Sequence, residues 1–254
     1  MSRIDRGATA RSKVATNPTA NESRGGVRTG AAIAIAVASA VATAAPSDPG
    51  AAHVDWARGL VIASAVGIAD RHAPSPAVAR GTARRGAEDA ARRTIAAAIN
   101  ALPRASGGTV GEAATTPATK AALADAVAHA VTLAADPETD GAWQVTLAVP
   151  IEAVRLALGH ARTLPDAGDH GPAVIVIDGE RAPSALGWHV AVHGADAEVA
   201  TLWVDAAPAW AKSAPHVQAS VKPGGVLELA SEIAGRAGTS ELASALFVIV
   251  APSR

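Results

Sequence analysis

His189 and His193 are the two side chains whose types and spacing come nearest to metal chemistry. In an extended strand, residues four apart share a face, so both imidazoles would stand opposite Trp188, Val190 and Val192. His170 or His216 would complete a three-histidine set of the kind zinc uses. The eight histidines are otherwise scattered, with no H-E-x-x-H or carboxylate-bearing spacing, and an edge-strand or surface place accounts for the pair. Ser184, His189 and Asp178 are the residue types of a hydrolytic triad, but they crowd into one short stretch without a nucleophile elbow. Asp178-Gly179-Glu180 sets two acids at a strand end, and the same three letters spell a turn. This reading assigns no catalytic residue and no cofactor, and leaves His189 and His193 as weak metal candidates.

Val221–Ala230, VKPGGVLELA, resembles the late strand motif of class I S-adenosylmethionine methyltransferases. Those enzymes also need an earlier strand closed by a glycine-rich turn, so that backbone can approach the cofactor. The candidate here, VIVIDGERAPSALG, has Gly179 alone in that turn. A Lys-Pro-Gly-Gly turn between two strands explains the motif without a cofactor. The methyltransferase therefore stands as the alternative function, beside a metal-binding periplasmic protein.

Location is written more plainly. Arg24 and Arg28 precede an apolar run from Ala31 to about Ala42, and Ala42-Thr43-Ala44 offers a small-x-small cleavage site. The run is shorter than the about 20 residues that span a bilayer. Residues 1–44 thus read as a signal peptide with a disordered basic N-region, cut after Ala44, and the chain is expected in the periplasm or outside the cell. No cysteine follows to carry a lipid anchor, and no integral span is expected after cleavage.

Charge divides at the same point. Residues 1–44 hold six Lys/Arg and two Asp/Glu, and residues 45–254 hold sixteen and twenty-one. An acidic mature chain is a poor partner for nucleic acid, where phosphate neutralisation dominates affinity. Zero cysteines exclude disulfides and thiolate chemistry. Alanine contributes 67 of the apolar residues and buries little area, so Val, Ile, Leu and the five tryptophans must build the core.

The elements that would position these groups follow from periodicity. Residues 45–52 form a Pro/Gly/Ala linker, and Leu60–Val66 a strand closed by Gly67. Ser75-Pro76 opens a long helix that Pro103 stops, with Ala83, Ala87, Ala90, Ala98, Ile95 and Ile99 on its apolar side. Its Arg84, Arg85, Glu88, Asp89, Arg92 and Arg93 make i,i+4 pairs on a solvated face. Thr116-Pro117 starts a second helix whose stripe Leu123, Val127, Val131 and Ala134 runs to Asp136-Pro137. Trp143–Val149 alternates as a half-buried strand, and Pro150 begins a short helix ended by Gly159.

Residues 163–172 read as a second linker. Beyond it come short strands at 173–177, 188–193, 199–204, 226–229 and 246–250, with brief helices at 207–212 and 231–235. The expected fold is α+β: a small N-terminal sheet covered by two or three helices over 53–162, then a β-rich, mostly antiparallel module over 173–254. The tryptophans are expected as core anchors.

The stretch from Val54 to Pro103 is similar to the LPP20-like bacterial cell-envelope family, which includes flagellar outer-membrane proteins. The matching positions are Asp55-Trp56, Gly59, Gly67, Arg84-Arg85, Ala87, Asp89-Ala90 and Arg92, continuing through Asp140–Ile151 and Ala173–Ala182. This chain lacks the lipobox cysteine of the lipoprotein members. The resemblance implies an envelope protein without catalytic activity, working by binding or assembly with other envelope proteins or with itself.

Overall fold

The computed structural model describes residues 50–159, 174–178, 182–192, 195–229 and 245–250, which hold four α-helices and twelve strands. The α+β class expected from sequence holds. The Ala44 cleavage site, His170, His193, the 163–172 linker and the 231–235 helix lie outside the described residues.

The first sheet is antiparallel, in the order β1 (Ala52–Asp55), β2 (Leu60–Gly67), β4 (Trp143–Pro150) and β3 (Val131–Pro137). Its central strands pair from Leu60 opposite Pro150 to Gly67 opposite Trp143. Alternation sends Val61, Ala63 and Ala65 of β2, with Val145, Leu147 and Val149 of β4, to one buried face. On that face lies α1 (Pro76–Ala101), opened by Ser75 Oγ accepting from the Val78 N–H at 3.3 Å. Its buried stripe is Ala83, Ala87, Ala91, Ile95 and Ile99, with Ala91 where the sequence had pointed to Ala90 and Ala98. The alanines bring helix and sheet backbones together, and the isoleucines supply volume. Three shorter helices follow: α2 (Val110–Ala113), α3 (Pro117–Ala128) and α4 (Ile151–Ala157).

Two expectations change here. The second helix stops at Ala128, and Val131–Pro137 is the edge strand β3. Val131 and Ala134 continue the helical stripe on paper, but they pair with Ala148 and Thr146 of β4. Ladder bonds to a strand already in the sheet outweigh a weak helical period. Likewise Ala52, read as linker, opens β1 and pairs with Ala63.

The C-terminal half is β-rich, as expected, and its strands pair in both senses. One sheet runs β10 (Ala219–Lys222), β11 (Val226–Leu229), β6 (His189–Val192), β7 (Ala195–Glu198), with β11 and β6 parallel and the outer pairs antiparallel. The other runs β8 (Ala200–Val204), β12 (Leu246–Val250), β5 (Val174–Asp178), β9 (His216–Val217), and every pair in it is parallel. This departs from the mostly antiparallel expectation. Its cause is visible in Val174–Ile177 and Leu246–Val250, unbroken apolar runs with Ile175, Val176, Ile177 and Phe247, Val248, Ile249 buried in succession, the signature of parallel strands.

Trp188 and Trp203 anchor this half, packed with Ile175, Ile177, Leu227, Phe247 and Ile249. Trp210 does not, being 57% exposed. Trp56 joins the halves: its ring meets Trp203 edge-on at 5.5 Å, and its carbonyl accepts from the Trp203 N–H at 3.2 Å. The loop after α1 adds a second seam, where the Ala105 N–H donates to the Leu186 carbonyl at 2.9 Å.

Candidate functional site

The histidines separate. His189 is half-buried on β6, opposite Glu198 of β7 and Val226 of β11. His216 sits on β9 in the other sheet, where its Nδ1 lies 2.7 Å from Oδ2 of Asp178. Asp178, offered by sequence to Ser184 and His189, thus meets His216 instead. Among the described residues no three His, Asp or Glu side chains converge as a metal site would require.

The Lys-Pro-Gly-Gly segment is the turn between β10 and β11. Gly224 and Gly225 have φ of +84° and +78°, which favours glycine at both positions. A Cβ on Gly225 would also come within 2.5 Å of the Ala105 backbone. Both glycines therefore have a structural cause: the turn itself, and the seating of the loop after α1.

Sequence reading missed Arg155. Its guanidinium is buried, with 5% of the side chain exposed, on the short helix α4. Nε and Nη2 donate to both oxygens of Glu152, at 2.8 and 2.7 Å, and Nη1 donates to Oε1 of Glu198 at 3.4 Å. Burial alone would lower the Arg155 pKa; hydrogen bonds and charge from Glu152 and Glu198 outweigh it and raise the value. Arg155 therefore keeps its charge and ties α4 to β7. The Glu152–Arg155 spacing is legible in the sequence, whereas Glu198 is brought in by the fold. A cavity of about 230 Å³ beside the cluster is bounded by Gly59, Pro150, Leu186 and Thr201.

The outer edge of the first sheet is built differently. β3 exposes six of its seven residues, including Val131 and Leu133, which are 55% and 51% exposed. Soluble sheets usually guard such edges with lysines, prolines, bulges or very short strands. β3 has Pro137 at its end and a register shift between Thr132 and Ala134, but Val131–Ala135 carries no charge. The result is an apolar strand with one ladder side turned to solvent.

Among the described residues, no helix is long and apolar enough to cross a membrane. Compared with known proteins, the chain matches no family model and no curated sequence.

Proposed function

We propose that this chain is an exported cell-envelope protein that acts by binding and assembly, and that β3 is the strand through which it assembles. The observation carrying this reading is the uncharged, exposed edge from Val131 to Ala135. An added strand there gains main-chain hydrogen bonds, while Val131 and Leu133 supply apolar contacts that select the partner. The partner is an extended segment of another envelope protein or of a second copy. Export is supported by the basic flank, short apolar run and Ala42-Thr43-Ala44 site, and the envelope setting by the LPP20-like positions Asp55-Trp56, Gly67 and Arg84-Arg85.

The test joins location to assembly. Cells are fractionated, the N-terminus of the recovered protein is sequenced, and its size is measured by sedimentation. The expected protein begins at Ala45, sits in the envelope fraction, and sediments as a complex. Leu133→Lys, an exposed substitution that leaves the fold intact, disperses it. An intact Met1 terminus among soluble cytosolic proteins would sink the export reading, and unchanged sedimentation of the Lys variant would sink the edge-strand reading.

A further inference from the structure

The sequence spacing offers Asp89 to both Arg85 and Arg93, yet in the structure Arg92 takes it, at 3.3 Å, while also reaching Glu88 at 3.8 Å. Among the described residues Arg93 is left without an ion-pair or hydrogen-bond partner, and so is Lys120 on α3. Both line one groove of about 570 Å³ between α1, α2 and α3.

The groove has a consistent construction. From α3 it takes Lys120, Leu123, Ala124 and Val127, the i, i+3, i+4, i+7 set that forms one helix face. From α1 it takes Ala96 and Ile99 beyond the two arginines. Ile99, Leu123 and Val127 are buried and make an apolar floor, and the small side chains of Ala96 and Ala124 leave the space above it open. Gly111 of α2 closes one end; a Cβ there would stand 3.1 Å from the Asn100 carbonyl, so glycine lets α2 approach α1. The lining contains three cations and no carboxylate.

We infer that this groove binds a single-chain anionic amphiphile, its alkyl tail along the Ala96 and Ala124 walls and its head between Arg93 and Lys120. The volume falls in the range of about 300–1,000 Å³ typical of small-molecule sites. The apolar floor selects a tail, and the unpaired cations select the sign of the head. Long-chain carboxylates and singly acylated phospholipids share that chemistry. None of the groove residues belongs to β3, so the inference stands apart from the strand-pairing proposal.

Calorimetric titration of the full chain with sodium dodecanoate, below its micelle-forming concentration, tests it. One equivalent is expected to bind, and affinity should rise about fourfold per methylene from octanoate upward until the groove is full. Acetate should give no binding, and dodecyltrimethylammonium should bind at least about tenfold more weakly than dodecanoate. A parallel titration with lauroyl lysophosphatidylglycerol distinguishes the sources: tighter binding than dodecanoate marks a lipid ligand, weaker binding a free fatty acid. Arg93→Glu and Lys120→Glu, both at exposed positions, should each weaken dodecanoate about fivefold, and Ala124→Trp should remove binding by filling the groove. Equal affinity for the cationic chain, unchanged affinity in both Glu variants, or no dodecanoate binding would overturn the inference.

Discussion

Gly67→Ala tests how closely α1 is laid on the first sheet, and so what holds the helix that carries most of this layer. Gly67 ends β2 with its missing side chain facing the helix. A Cβ there would lie 1.8 Å from the Ala83 carbonyl oxygen, 2.7 Å from the Ala87 nitrogen and 2.8 Å from the Ala83 carbonyl carbon, against an ordinary contact of 3.4–4 Å. All three atoms are helix backbone, which cannot swing aside as a side chain would. Helix and strand would have to part by about 1.6 Å, loosening Ala83, Ala87 and the sheet residues beneath them.

Overpacking of this kind costs roughly 1–3 kcal/mol, and the immobile neighbours place this case at about 3 kcal/mol. For a domain of this size each kcal/mol moves the midpoint by about 2–4 °C, so Gly67→Ala should melt roughly 6–12 °C lower. Gly86→Ala is the internal control. It makes the same chemical change on α1 where a Cβ meets nothing within 4 Å, and should stabilise by about 0.5–1 kcal/mol through helix propensity. Thermal unfolding followed by circular dichroism reads both. A Gly67→Ala protein as stable as the parent, or two variants shifting in the same direction, would refute the backbone contact.

Arg155→Met removes the buried cation shared by Glu152 and Glu198 and should cost about 3–5 kcal/mol, read as a lowered urea midpoint. Glu152→Gln, whose carboxylate is partly exposed, should cost less; the opposite order would show that α4 and β7 are not joined through Arg155. Near the β10–β11 turn, Lys222 lies 2.9 Å from Glu228 and holds its carboxyl below the ordinary value of 4.5, first by hydrogen bond and then by charge, with Ser220 adding to the effect. A depressed folded-state value means the pair's contribution is present above the unfolded-state value and fades as pH falls through the folded one. NMR titration should show that midpoint below 4.5 and returning upward in Lys222→Ala or in high salt, since the pair is exposed and screened. A midpoint unmoved by either would refute the pairing.

Helix starts were legible because they are local. Ser75-Pro76 and Thr116-Pro117 each contain their own cap, and both operate as caps in the fold, whereas the short α2 with its Thr109–Glu112 capping box went unread. Of the central strands, β4 was legible from the alternation of Trp143–Val149, and β2 from a short apolar run closed by Gly67. Local pattern failed where two periods fit the same letters, as at Val131 and Ala134, where a partner strand decided between helix and strand.

By itself the sequence determined the α+β class and the long alanine helix, since caps and periodicity need no distant partner. Only the tertiary structure decided which strands run parallel, that Arg155 meets Glu198, that Asp178 meets His216, and that Arg93 and Lys120 line one groove. Those pairings join residues far apart in the chain. Their energies depend on burial and distance, quantities that exist only once the chain has closed on itself.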